Sequence, residues 1–547
     1  MWGRYFFTFH FTTIKRATTI ILIIVVALLV GAGYWYVDYL STKRLPGLLG
    51  DRIAVNKVKI DVKNRRVQFD APLFQMDSIK DQPNLTIAAE AKFIAIEGFS
   101  FIDLIFNKEI GVDMLEVDSA FIHVQLPEDE LSMGGKKEIN LFVRELFTSI
   151  NLHEFNFRAA RISVAKHNAP DSLFVVTDFT LKAEEIIIDT ATVSHVFPLD
   201  FKKSEISAGK FRMQAGELYS FSGGKITVQD TAVRVQDVIF ASRFDRETFV
   251  SKLEYEKAQI DLSVKEVYAE NVVWSLDDGF SLHSTKANIE HATLKVYKDK
   301  RPPPQPIKVK PMMQELIRKL PFTLTLDTAQ VKDSYIEYEQ YPVMFPRSGS
   351  VYFDNTYASL YNLTNDSSLI EKQPELIVDV QCQFMGKGDL KTQIRLDLAS
   401  PDNKFSVSGH LSELPVTYVN QVMTPLVGVT AEGTVHSLDF SFEGDNYDAN
   451  GQLVSDYSDL KITIYDDGRN KEFFKTLFGN IVLRNNNHKD SLGYKEGKIY
   501  FVRYQNKDFF NYLWNSVREG IMDVAIPFYK NGDENRDHSQ PKYKIDD

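Results

Sequence analysis

The sequence predicts a mainly β protein: a single N-terminal transmembrane helix, then an elongated, curved, repeat-built β-sheet, groove-like in form, with a few short amphipathic helices. Three observations carry this expectation. Apolar and polar residues alternate with period two in run after run, the spacing of a strand that buries one face and wets the other. A 21-residue stretch at 17–37 holds no charge. Helical spacing of apolar residues recurs in only three places along 547 residues.

Composition bounds the function. Lys+Arg number 63 against 74 Asp+Glu, a formal net charge of −11, which offers little to a phosphate backbone, so no nucleic-acid partner is expected. A hydrophobic share of 44% beside 25% charged residues suits a folded chain and argues against a multi-span membrane protein. The single cysteine, Cys382, excludes an internal disulfide framework and any cysteine-based zinc or iron–sulfur centre.

The elements follow from the N-terminus. Residues 1–16 form a short arm, expected on the cytosolic side. Residues 17–37 read as the transmembrane helix, because 21 residues reach across a hydrocarbon core of about 30 Å. The run is longer than the apolar stretch of a cleavable signal and ends in Tyr34, Trp35 and Tyr36, residues suited to the membrane–water boundary. Arg4, Lys15 and Arg16 precede it on an arm too short to be a domain, so the expected topology keeps the N-terminus cytosolic and exports the body.

The exported part is read as β-rich over 38–300, a Pro-rich linker and helix over 301–321, and a second β region over 322–507. An amphipathic helix over 508–530 and a loose polar tail over 531–547 complete the chain. Alternation is clearest at Val58, Ile60 and Val62, at Ile260, Leu262 and Val264, and at Ile394, Leu396 and Leu398. These nine are the candidate lining of one apolar face. Helical spacing appears at Ile139, Phe142, Val143, Leu146, Phe147 and Ile150, and again at Met312, Met313, Leu316, Ile317 and Leu320. The third case is Phe510, Leu513, Trp514, Val517, Ile521 and Val524. The prolines of 301–306 stay extended and withhold ladder donors, which makes that stretch the expected internal boundary.

An internal repeat follows the first two helical patterns. Segments 150–164 and 324–338 superpose at an offset of 174 residues, with Phe155 and Phe157 matching Ala329 and Val331, and Ala160 matching Ser334. A unit used twice favours a repeat-built body.

Reaction chemistry is hard to find. The His-Glu-x-x-His metal pattern, the phosphate-binding lysine loop and the Gly-x-Ser-x-Gly elbow are missing, so neither metal, cofactor nor enzymatic activity is expected. Cys382 lies in an alternating segment and reads as a buried strand thiol. Carboxylates brought together only by the fold keep a membrane-tethered hydrolase open. Two physical roles fit the large apolar strand surface. Strand faces close over each other in a scaffold, or a trough stays open and shields acyl chains, each buried CH₂ being worth about 0.8 kcal/mol.

From Phe405 the chain reads FSVSGHLSELPVTYVNQVMTPLVGVTAEGTVHSLDFSFEGDNYDANGQLVSDYSDLKITI. This stretch resembles the C-terminal region of the AsmA-like family of Gram-negative envelope proteins. The likeness rests on Gly409 and Leu411, the Asn420 to Pro425 segment, Gly433, Gly444, Gly451 and Tyr457-Ser-Asp459-Leu460. Upstream, Ile336-Glu-Tyr338-Glu339, Gly349-Ser-Val351-Tyr-Phe353 and Tyr361-Asn-Leu-Thr-Asn365 are similar to the same family, as is GFSFIDLIFNKEIGVDMLEVDSAFIHV over 98–124. The resemblance implies a bacterial inner-membrane anchor and a periplasmic β-groove like that of chorein-type bridge-like lipid-transfer proteins. Its implied partners are phospholipid, the inner membrane, and the outer membrane or an outer-membrane protein. The implied function is lipid transport to the outer membrane or upkeep of its integrity, with assembly of outer-membrane proteins by a closed β core as the alternative. The last helix then caps the final strands, or touches a membrane or partner through Phe509, Phe510, Leu513, Trp514, Val517 and Ile521.

Overall fold

Strands in this chain run far past the usual five or six residues, and they stay one-sided only because their alternation slips. The computed structural model describes residues 53–529 except 62, 80–81, 99–108, 127–148, 167–171, 190–201, 276–279, 307, 344–346, 465–482 and 528. The expected arm, transmembrane helix, first helical pattern over 139–148 and tail over 531–547 lie outside the described residues, as does Val62. Among the described residues, no helix is long and apolar enough to cross a membrane. The mainly β expectation holds: among the described residues, 26 strands stand against a few helices. The chain divides into two units. Unit 1 takes the described residues up to Ile239 with Val272–Ser281; unit 2 takes Phe240–Asn271 and the described residues from Leu282 onward.

Unit 1 is centred on three 18-residue strands, β1 (Glu109–Leu126), β2 (Ser149–Lys166) and β3 (Ser172–Asp189). β1 and β2 run parallel, with Leu115 beside Phe155 and Val124 beside Val164, and β3 returns antiparallel to β2. The strands Arg66–Asp70 and Phe93–Glu97 pair antiparallel and lead into β1. Leu115, Val124, Val164 and Ile87, each 1% exposed or less, form the centre of a closed core.

Among the buried apolar positions of β1, Leu115 and Val117 are followed by Ala120, Ile122 and Val124. The change from odd to even happens at Ser119, which adopts φ +53°, and the ladder to β2 shifts register there. This is a β-bulge: one extra residue returns the following side chains to the original face. In β3, Asp178 and Glu185 mark the same slips at φ +51° and +55°.

Unit 2 contains β4 (Ala258–Glu270), β5 (Ser281–Asp299, from Leu282), β6 (Thr323–Tyr341), β7 (Gly349–Thr364), β8 (Glu375–Phe384) and β9 (Gly388–Asp397). After these come β10 (Phe405–Leu411), β11 (Val429–Gly444), β12 (Asp448–Ile464) and β13 (Gly497–Val502). Helices pack on them, among them α1 (Met313–Arg318) and α2 (Phe509–Ala525). Slips recur at His291, Asp333, Asn355, Asn362 and Asp459, all at positive φ. A non-glycine residue held left-handed costs about 1–2 kcal/mol. Burying one large apolar side chain gains about 1.5–3 kcal/mol, and each slip restores several, so the slip wins. Asp459, exposed and at φ +54°, isolates the backbone cost. Asp459→Gly is expected to be neutral or stabilising, while Asp459→Val should lose about 1–2 kcal/mol in urea unfolding.

The expected repeat is visible in the fold. β2 and β6 begin at Ser149 and Thr323, 174 residues apart. Contacts between β5 and β6 advance together along both strands: His283 with Asp327, Lys332 with Glu290, Lys295 with Glu337, and Lys300 N with Tyr341 O. These strands therefore run parallel, as β1 and β2 do. The strand after each parallel pair carries two positive-φ residues seven apart, Asp178 and Glu185 in β3, Asn355 and Asn362 in β7.

The proline stretch 301–306 lies inside unit 2. It is fastened there, because Glu256 N donates to Pro303 O at 2.7 Å and Gln305 Nε2 donates to Glu256 O at 3.0 Å. Burial would raise the Glu256 carboxyl, but the hydrogen bond from Lys300 and the charge of Lys298 outweigh it and hold it below its ordinary value.

Candidate functional site

Register defines which apolar side chains of unit 2 stand in line. One transverse row runs Ala329, Leu360, Val378, Ile394, Val407, Phe442, Gly451 and Ile499, each directly opposite the next across β6 to β13. A second begins at Val331 and Ala358 and continues through Val380 and Thr392. On the other side, β4 and β5 pair Ile260 with Val296, Leu262 with Leu294, Val264 with Ala292 and Val267 with Ile289. Alternate side chains face opposite ways, so these positions make one continuous apolar face.

That face is open at one end and closed at the other. Ile260 is 37% exposed, and Leu262, Val267, Ile289, Leu294, Val296, Val331 and Ile336 are half-buried; none of them belongs to a closed core. From β7 onward the face meets a closed core: Leu360 and Leu363 of β7 and Val378 of β8 pack against it, and Leu376 of β8 is 2% exposed within it. Leu396, Leu398, Phe442, Leu453 and Ile499 pack with Met312 and Ile317 and with Phe509, Tyr512 and Val524 of α2. The segment leading into and through α1 is pinned by hydrogen bonds, these four among them. Arg318 Nη1 donates to Leu398 O at 2.8 Å and Gln314 Nε2 to Asn403 O at 2.8 Å. Arg503 Nη2 donates to Lys310 O at 2.6 Å and Lys310 N to Gln505 O at 2.8 Å. Asp508 caps α2 by accepting from Asn511 N at 2.9 Å.

The nine expected lining residues therefore separate. Ile260 and Leu262 lie on the open part, beside Val264, which is buried. Val58 packs against the closed core of unit 1 opposite Phe69, so an open groove at that strand does not hold; the side chain of Ile60 lies outside the described residues. Leu396 and Leu398, 2% and 1% exposed, sit in the closed core with Met312 and Ile317, and Ile394 packs beside them. An open lining is corrected there too. On α2, Phe509 is turned inward, its ring 5.1 Å from that of Phe405. The buried stripe is Phe509, Tyr512, Ser516, Gly520 and Val524, rotated from the stripe that spacing suggested. Phe510 and Trp514 are 65% and 56% exposed, while Leu513, Val517 and Ile521 flank the core.

The residues that sequence reasoning missed are those on β5, β6 and β7. Their signal was present as broken alternation, two polar residues in a row with an Asp, Asn or His between apolar pairs. Cys382 is 6% exposed on β8, and burial pushes its thiol up to about 11. At pH 8 it is expected to resist a thiol reagent in the native protein and react fully after denaturation, as a timed absorbance assay would show. Among the described residues, no group of three or more His, Cys, Asp or Glu could hold a metal ion. The chain matches no protein-family model, and no curated protein matches it.

Proposed function

We propose that this chain is an inner-membrane-anchored periplasmic protein that holds phospholipid acyl chains on the apolar face of unit 2, without covalent chemistry. It serves lipid transport to the outer membrane or the integrity of that membrane. The observation that carries the reading is the apolar face of β4 to β6, whose side chains, among the described residues, join no closed core. Two inter-strand steps of about 4.8 Å make it about 10 Å wide. Resemblance of 405–464 to the AsmA-like family and the uncharged run at 17–37 support the same reading. The covered end gives the surface a direction: acyl chains enter over β4 to β6 and stop where the closed core begins at β7.

A second reading has its own support. The closed cores of unit 1 and of the β7 to β13 end suit a scaffold that assembles outer-membrane proteins. One experiment separates the two. A photo-crosslinker at Leu262 should trap phospholipid, and one at Ser263, on the opposite face of the same strand, should not. Native mass spectrometry of the detergent-purified protein should show co-purified phospholipid. Equal or absent adducts at both positions would favour the scaffold.

A further inference from the structure

On the face opposite the apolar row, β7 to β12 surround an open basin of about 660 Å³. Its floor is a transverse row of Asp379, Gln393, Ser408, Ser441 and Gln452, each opposite the next in register. Beside it, Lys391, His410 and Asp439 form a parallel row. Three internal bonds order the floor: Gln393 Nε2 donates to Asp379 Oδ1 at 2.8 Å, Arg395 Nε donates to Gln393 Oε1 at 2.8 Å, and His410 Nδ1 lies 2.6 Å from Asp439 Oδ1. The side chains of Lys391, Ser408, Ser441 and Gln452 make no hydrogen bond to the described protein and face the basin. Tyr361, 41% exposed, supplies an aromatic surface at the rim.

The chemistry narrows the ligand. The volume lies within the roughly 300–1,000 Å³ of ligand sites, but such sites are mostly apolar and this floor is polar. Asp379 and Asp439 stand against Lys391, and Arg395 beside the floor is paired with Glu375 at 3.0 Å, so no excess of cations is offered to a phosphate or other anion. Free amide, hydroxyl and ammonium groups in a near-neutral, open trough suit a ligand rich in hydroxyls that both donate and accept. The row crosses five strands about 4.8 Å apart, close to the rise of one pyranose along a β-1,4-linked chain, so successive rings meet successive strands. We infer that this basin binds an extended, near-neutral β-linked glycan, running across the strands with Tyr361 against one sugar ring.

The inference does not rest on the lipid reading, since the two faces of the sheet are independent. Saturation-transfer NMR on the full chain in detergent, with tetra-N-acetylchitotetraose and cellotetraose as probes, tests it. Transfer to at least one probe is expected. Ser408→Trp, at an exposed position on the floor, fills the basin and should abolish transfer, and Gln452→Ala, which removes an unbonded amide, should weaken binding about tenfold. Circular dichroism and phospholipid co-purification should stay unchanged in both variants, which shows that the fold and the other face survive. No transfer to either sugar, or undiminished transfer in a folded Ser408→Trp protein, would overturn the assignment. So would competition of the bound sugar by an extended peptide that binds more tightly.

Discussion

Leu262→Asp is expected to strip phospholipid from the purified protein while leaving it folded, whereas Leu396→Asp is expected to unfold unit 2. Both leucines alternate identically with polar neighbours, and only their surroundings differ. Leu262 is half-buried opposite Leu294 on the uncovered strands, so a carboxylate there reaches water. It places a charge where an acyl chain would lie, and every CH₂ displaced forfeits about 0.8 kcal/mol. Leu396 is 2% exposed in the core that also holds Met312 and Ile317. An unpaired carboxylate there costs several kcal/mol in addition to the lost packing, against a total stability of about 5–15 kcal/mol. Native mass spectrometry reads the first outcome and a thermal melt the second. Lipid retained by Leu262→Asp would defeat the proposed acyl-binding role, and a wild-type melt for Leu396→Asp would defeat the closed end.

Much of the fold was legible because period-two alternation is a local signal. Ile260, Leu262 and Val264 announce a strand without reference to anything else in the chain. So does the 174-residue repeat, which reappears as two parallel strand pairs. What alternation cannot say is whether the face it defines is covered. Leu396 and Leu262 look alike in sequence, and the difference between them is α1, which follows the proline stretch and is pinned through Arg318 and Gln314 to backbone carbonyls 80 and 89 residues away. The helix face was misjudged for a related reason. Spacing placed Trp514 with Leu513 and Val517, but the helix sits on a glycine, which carries no hydropathy and leaves no mark in an apolar pattern. Phase slips were overlooked because they interrupt alternation. Their residues, Ser119, Asp178, His291, Asp333, Asn355 and Asp459, are mostly the polar types that tolerate left-handed backbone.

That glycine carries the second large expected effect: Gly520→Leu should lift α2 from the sheet. A Cβ at Gly520 would stand 2.7 Å from Leu453 Cβ and 2.9 Å from Ile499 Cγ1, and one at Gly497 would stand 2.7 Å from Val524 Cγ2 and would run into Gly520 O. Helix and strand therefore approach glycine to glycine. Leucine raises helix propensity over glycine by about 1 kcal/mol, which pulls toward stability. Overpacking of a fixed core costs about 1–3 kcal/mol, and a displaced helix also exposes Phe509, Tyr512 and Val524, at about 1.5–3 kcal/mol for each apolar side chain. Loss outweighs gain, so the melting temperature should fall and amide exchange should quicken across Phe509–Ala525. Gly520→Ala should also destabilise, though less than Gly520→Leu, because its single Cβ stands 2.7 Å from Leu453 Cβ, an atom the backbone holds in place. If lipid binding uses the apolar face, the displaced helix uncovers β10 to β13, and Gly520→Leu should carry more phospholipid than wild type despite its lower stability. A protein that melts earlier yet binds more ligand is an outcome that simple damage does not produce. Unchanged exchange in Gly520→Leu would mean that the helix is seated by something other than this close approach.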